Sequence, residues 1–274
     1  MIMRQIRRAR KYLPAVTVLA AVIAVPAFVM LFAPGPSIVS AQVYSNEVGF
    51  IKVDTVDNGV VLASVPLILL GDSPHYGLNN ATLDGPGEIG LMLSADLVGS
   101  TQFSTADRVM RYDGGYRTAW LYQNVGSPYD NMWIEGVNPS TLTIEPHQGF
   151  WVVRAHSGDP DTVTFLGGVR TDAVKQVTLS AGFNMFGWPY PTEHDVQTST
   201  LFADGAYGAG TFADADRIGD YVPGVGYEWH WLYTDGTWIK GVSPSTLTFM
   251  PEKGYWYYRQ PAQGAFAWNC AKPY

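Results

Sequence analysis

Four aromatic residues at alternate positions, Tyr227, Trp229, Trp231 and Tyr233, make the clearest chemical surface in this sequence. In an extended strand alternate side chains share a face, so these rings line one side and Glu228, His230 and Leu232 the other. Such a face can stack on the apolar C–H side of a sugar ring, provided polar groups stand nearby for the hydroxyls. Tyr116, Thr118, Trp120 and Tyr122 form a matching face earlier in the chain. Trp229 stands where that face has Thr118, so its ring is less needed by the fold, and it is the first ligand or interface candidate. Tyr227, Trp231, Tyr233, Trp120 and Tyr122 complete the candidate set. The opposing reading is a hydrophobic core, because Trp120, Trp151, Trp231 and Trp256 recur at corresponding places and large rings dominate core energetics.

Residues able to do acid–base or covalent chemistry are present without a pattern that would join them. A glycosidase needs two carboxyls about 5 to 9.5 Å apart, but Glu135 and Glu145 correspond to Lys240 and Met250 later in the chain. Asp107 and Asp216 do recur, each followed by arginine, and read as turn caps at strand edges with a paired or solvated Arg. His75, His147, His156, His194 and His230 lack the HxH or HxxxH spacing of a zinc site. Asp214 and Asp216 start like a calcium loop, yet Ile218 stands where a third oxygen ligand is wanted. There is no G-x-S-x-G elbow, no phosphate-binding glycine loop and no cysteine with an adjacent base. The expectation is a protein that is not an enzyme, with no catalytic residues, no metal and no cofactor.

The elements that carry these residues are stated twice. Trp133 to Arg154, WIEGVNPSTLTIEPHQGFWVVR, recurs without a gap as Trp238 to Arg259, WIKGVSPSTLTFMPEKGYWYYR, with 13 of 22 positions identical. A match at an offset of 105 residues means two copies of one folding unit in tandem. Nearly every segment around it reads as strand. Val48 to Val56 and Val60 to Leu67 flank Asp57-Asn58-Gly59, whose Asn-Gly supplies the positive φ of a tight hairpin, and Val174 to Leu179 and Phe183 to Trp188 flank Ser180-Ala181-Gly182 in the same way. Pro66 and Pro189 end the second strand of each pair. Strands are expected again at Ala106 to Val109 and Ala215 to Ile218, along the Pro-Ser-Thr-Leu-Thr stretches, and at Thr162 to Leu166 and Ala265 to Asn269. Short helices fit Glu88 to Val98 and Thr198 to Ala203. The expected fold is all-β with minor helices, two antiparallel sandwich-like or barrel-like units at 42–169 and 170–274.

Residues 1–41 are a different kind of chain. Arg4, Arg7, Arg8, Arg10 and Lys11 precede an apolar run from Leu13 to Ala33, and Val39-Ser40-Ala41 offers a cleavage site before Gln42, the layout of an export signal. At about 1.5 Å per residue the apolar run is also long enough for an uncleaved anchor across a core of about 30 Å, against which stand Pro14 and Pro26. The Arg7-Arg8 pair invites a twin-arginine reading, but Arg10 and Lys11 follow where apolar residues are wanted. The remainder carries 12 basic against 24 acidic side chains, which repels phosphate backbones and anionic lipid, so nucleic acid is not an expected partner. A membrane is met only through the N-terminal segment if it stays attached. Cys270 stands alone, so no internal disulfide is possible and the packed core must supply the stability.

Gly182-Phe183-Asn184-Met185-Phe186-Gly187-Trp188-Pro189 and Gly254-Tyr255-Trp256 resemble the opening G-[WF]-N-hydrophobic-x-x-P and closing P-x-x-G-[YF]-W of a module common in exported bacterial surface proteins. Pro146-His147-Gln148-Gly149-Phe150-Trp151 fits the closing half in the first copy, whereas Val60-Val61-Leu62 departs from the opening. The stretch Gln42 to Phe50 is similar to the start of small exported proteins of Planctomycetes and Verrucomicrobia type. The resemblance implies export and a β module, and it brings no catalytic residues. Two functions are therefore expected of an extracellular, cell-surface or periplasmic protein. One is a structural or interaction protein that assembles with itself or with other envelope proteins, through edge strands among other surfaces. The other is a carbohydrate-binding module using the strand-borne aromatics on polysaccharide.

Overall fold

Runs of β-branched and aromatic residues broken by glycine-bearing turns fold here as strands, and the protein is all-β, with several antiparallel sheets and, among the elements wholly within the described residues, one short α-helix. The computed structural model describes residues 48–67, 76–77, 96–155 and 162–274. The segment read as an export signal, the 88–95 part of the first expected helix, His75 and His156 lie outside the described residues. Those described belong to one compact unit.

In chain order the first ten strands are β1 Val48–Asp54, β2 Val60–Ala63, β3 Tyr76–Gly77, β4 Arg108–Tyr112, β5 Tyr116–Tyr122, β6 Met132–Glu135, β7 Asn138–Pro139, β8 Thr143–Ile144, β9 Phe150–Val153 and β10 Thr162–Gly168. The next ten are β11 Val174–Leu179, β12 Gly182–Gly187, β13 His194–Asp195, β14 Arg217–Val222, β15 Gly226–Leu232, β16 Trp238–Lys240, β17 Ser243–Pro244, β18 Thr248–Phe249, β19 Gly254–Arg259 and β20 Phe266–Ala271. The α-helix is Leu201–Asp204, preceded by a 3-10 turn at Val196–Thr198, in the stretch where a second helix was expected.

The first half builds a six-stranded sheet in the order β2-β9-β4-β5-β6-β7, and the second half builds β12-β19-β14-β15-β16-β17. Each half adds two two-stranded ribbons, β1-β10 and β3-β8 in the first, β11-β20 and β13-β18 in the second. Registers correspond as well: Arg108 faces Val153 and Trp120, and Arg217 faces Tyr258 and Trp231. Trp133 and Trp238 thus hold the same place in the two sheets, both almost wholly buried. A cross-strand ion pair is kept with its ends exchanged, Arg117 on Glu135 in one sheet and Lys240 on Glu228 in the other. The pair, and not the position of the acid, is what the cross-strand site needs.

Two expectations about local structure are corrected. Asn58 does have positive φ and Gly182 likewise, but neither turn closes a hairpin. β1 pairs with β10 while β2 pairs with β9, and β11 and β12 separate in the same way onto β20 and β19. The turns are corners between a ribbon and a sheet. The Pro-Ser-Thr-Leu-Thr stretches are not continuous strands, because Ser140 and Ser245 accept the backbone N–H of Leu142 and Leu247, both at 3.0 Å, and bend the chain between two short bridges.

The corners put a ribbon over one face of each sheet. Ile51, Val53, Val163 and Phe165 of β1 and β10 pack with Val109, Leu121, Trp133 and Val152 in one buried cluster. Val177, Leu179, Trp268 and Cys270 of β11 and β20 do the same with Ile218, Leu232, Trp238 and Tyr257. Cys270 is a free, buried thiol in that second cluster, and burial pushes its ionisation far up. The opposite faces of the sheets cover each other: Leu62, Trp151 and Val153 of the first half pack with Met185 and Trp256 of the second.

Candidate functional site

The junction between the halves is reciprocal. Ser64 N donates to the Glu252 carbonyl at 3.0 Å, and the corresponding Gly187 N donates to the His147 carbonyl at 2.8 Å. The glycines of the two P-x-x-G stretches permit this approach: a Cβ on Gly149 would lie 2.9 Å from the Phe186 oxygen, and one on Gly254 2.6 Å from the Ala63 oxygen. Trp151 and Trp256 follow two residues on, and each meets a tyrosine of the other sheet edge-on, Tyr221 at 4.9 Å and Tyr112 at 5.1 Å. These tryptophans are only 6 % exposed, as a core reading expects, but what buries them is the opposite half and not their own ribbon.

Two pockets flank the junction. One, of about 490 Å³, is lined by Trp151, Tyr221, Tyr116 and Tyr227 together with Val60, Thr118, Met110, Val153, Phe103 and Arg108. The other, of about 330 Å³, is lined by Trp256, Tyr112, Tyr116, Tyr227, Phe183 and Trp229. Register relates the pockets position by position: Tyr112 corresponds to Tyr221, Tyr116 to Tyr227, Thr118 to Trp229 and Val60 to Phe183. Tyr116 and Tyr227 belong to both and stand between them, 53 % and 43 % exposed. The Tyr227 hydroxyl accepts the Trp256 indole N–H at 3.1 Å, and burial raises its pKa, so it remains a neutral hydrogen-bonding group.

Of the six residues singled out by the alternating pattern, Tyr227 and Trp229 line these pockets. Trp231 and Tyr233 lie further along the same face, 6.0 Å apart, where Trp231 packs with Ala209 and Ala215. Trp120 and Tyr122 are their counterparts, 5.5 Å apart and packed with Ala106 and Ile134. Phe103 ties Trp120 to the larger pocket, its ring centroid 6.3 Å from that of Trp120. Sequence reasoning missed Tyr112, Tyr221, Phe183 and Arg108. The signal for the tyrosines was available: Tyr112 and Tyr221 close the β4–β5 and β14–β15 turns directly opposite Tyr116 and Tyr227.

Asp107 and Asp216, read as turn caps at strand edges, are fully buried hubs. Asp216 accepts from Tyr207 N, Gln260 N and the Tyr257 hydroxyl at 2.7 to 2.8 Å and pairs with Arg259 at 2.6 Å. Asp107 accepts from Val98 N and Ala155 N and pairs with Arg154 at 3.1 Å. The arginines that follow each aspartate point elsewhere, because neighbours in a strand face opposite ways. Arg108 lies over Phe103 at 4.9 Å, and Arg217 lies between Phe212 and Tyr258 at 4.6 and 4.2 Å.

Ser245 Oγ is hydrogen-bonded to His230 Nδ1 at 2.7 Å, the atom pair that a hydrolase would use as nucleophile and base. Both side chains are buried, the serine oxygen also accepts Leu247 N, and Ser140 in the other half has Ala119 where the histidine would stand. This pair therefore orders a bend. Among the described residues no three His, Cys, Asp or Glu side chains converge as metal ligands. Comparison with known protein families, curated proteins and solved structures finds no match for the chain.

Proposed function

We propose that the protein is an exported, non-enzymatic binding protein made of two copies of one β-sandwich unit, and that it holds carbohydrate in the aromatic cleft between them. The identical strand orders and registers of the two six-stranded sheets support the duplication. The ligand reading is carried by one observation, the two ring-lined pockets on either side of the exposed Tyr116 and Tyr227. Aromatic walls suit the C–H faces of sugars, and the phenol hydroxyls with Thr118 offer partners for sugar hydroxyls. The test is retention of the purified chain on insoluble polysaccharides. Retention lost on Tyr227→Ala or Trp229→Ala, with the melting temperature kept, is expected; no retention on any polysaccharide overturns the reading. Export is tested by mass analysis of the N-terminus, where a start at Gln42 is expected and an intact Met1 overturns cleavage.

A second reading, assembly with itself or with envelope proteins, draws support from Val137 and Val242. These occupy corresponding hairpin tips and are 82 % and 98 % exposed, an unusual repeated display of an apolar side chain. Edge-strand pairing is hindered at β7 and β17, which are two residues long and each contain proline, and the longer outer strands β2 and β12 are the edges left for it. Light scattering decides this reading: a monomer at high concentration overturns self-assembly.

A further inference from the structure

The two pockets share a scaffold but not a chemistry. In the smaller one Phe183 and Trp229 occupy the space, and Gly219 makes room for the Trp229 ring, since a Cβ there would come within 2.9 Å of it. Tyr258 meets Phe183 edge-on and carries the Arg217 guanidinium over its ring, and Arg217 is not among the residues lining this pocket. In the larger pocket the corresponding residues are Val60, Thr118, Met110 and Val153. Without the three rings the volume grows, and Arg108 becomes part of the wall.

Arg108 makes no ion pair and no hydrogen bond among the described residues, and its Nε is buried without a partner. Its guanidinium lies over the Phe103 ring. Among the described residues no acidic side chain lines this pocket, although acids outnumber basic residues 24 to 17 in the chain. A half-buried guanidinium against apolar walls, with no carboxylate among the described lining residues, is a place where an external carboxylate gains most, because the fork of N–H donors matches the planar anion and water is partly excluded.

Resting on the carbohydrate reading above, we propose that the larger pocket selects a uronic acid residue, with Arg108 holding the sugar carboxylate while Trp151 and Tyr116 flank the ring. A singly charged carboxylate fits better than a phosphate. One arginine balances one charge, and the surplus acids of the chain repel a dianion more strongly. The smaller pocket, with the same scaffold and no cation, takes a neutral residue.

The test is titration calorimetry of the full chain with an oligogalacturonate and with the same oligomer after reduction of its carboxyls to alcohols, at about 0.15 M salt, where the Debye length is about 8 Å. The acidic oligomer is expected to bind at least about 10-fold more tightly. Arg108→Gln should abolish that difference, whereas Arg217→Gln should leave it intact. Val60→Phe, which copies the filled pocket, should weaken the acidic oligomer alone. Melting temperatures of all three variants report on folding, and Arg108 has no bond whose loss would unfold the sheet. Equal binding of both oligomers, unchanged by Arg108→Gln, overturns the uronate assignment and leaves the carbohydrate reading standing. Binding of neither overturns the uronate assignment while retention on another polysaccharide still upholds the carbohydrate reading, and an equal loss with Arg217→Gln reduces Arg108 to a contributor to overall charge.

Discussion

Trp151 packs edge-on against Tyr221, with ring centroids 4.9 Å apart, although the two lie in different sheets and 70 positions apart in the chain. Trp256 and Tyr112 repeat the contact in the opposite direction at 5.1 Å. Each half thus contributes one tryptophan and one tyrosine to a shared cluster, and neither sheet has a finished surface without the other.

Replacing Trp151 or Trp256 by alanine should therefore cost about 3 to 5 kcal/mol, the range for a buried large aromatic. Because the positions correspond, the two losses should be similar. Chemical denaturation checks this; a midpoint unchanged in either variant would show that the ring is dispensable to the junction.

Gly149→Ala and Gly254→Ala should each destabilise by about 1 to 3 kcal/mol, since the added methyl meets a backbone oxygen of the other half, which has little room to yield. Gly115→Ala, where nothing stands within 4 Å, is the control and should be near neutral. Thermal melts of the three variants separate a junction effect from the general loss of a glycine.

Asp216 tests the buried ion pair. Asp216→Ala leaves Arg259 buried without its carboxylate and frees the N–H groups of Tyr207 and Gln260, so a loss of about 3 to 5 kcal/mol is expected. Asp107→Ala should behave alike through Arg154. A loss within about 0.5 kcal/mol, typical of an exposed pair, would place the aspartate at the surface after all.

Acid should weaken the fold before its carboxylates titrate. Burial, with Lys175 and Arg170 close by, lowers the His147 pKa to about 3, and burial also lowers His194 and His230. With folded values below the ordinary value of about 6.5, the unfolded chain binds more protons, so stability is complete above that pH and declines as pH falls towards the folded values. Denaturation midpoints at pH 7.5 and 5 should differ in that sense, and His147→Gln should flatten the slope. A midpoint independent of pH across this range would contradict the assignment.

Much of the strand pattern was legible because β-branched and aromatic residues alternate and glycines mark the breaks. Strand partners were not legible from turn chemistry. Asn58 reports a reversal, but which sheet receives Val60 is decided by the ribbon that β1 forms with a strand more than a hundred residues later. Register also moves one motif: Gly59 and not Val60 corresponds to Gly182, since Val60 faces Val153 as Phe183 faces Tyr258. The candidate site was half visible. Tyr227 and Trp229 stood out by their types, while Arg108 was hidden beside Asp107, whose true partner lies 47 residues away in the chain. Strand alternation alone would have separated that pair, because adjacent residues cannot face one partner.

Two identical chains meeting about a two-fold axis must present two identical pockets, and any substitution that alters one alters the other. Reciprocal closure within a single polypeptide removes that constraint. Val60, Thr118 and Val153 on one side, against Phe183, Trp229 and Tyr258 on the other, are differences that a symmetric pair could not hold. Having both halves on one chain thus confers a broken symmetry: one cleft is narrowed by rings, its sibling is wider and holds a cation, and the two can change independently by inheritance.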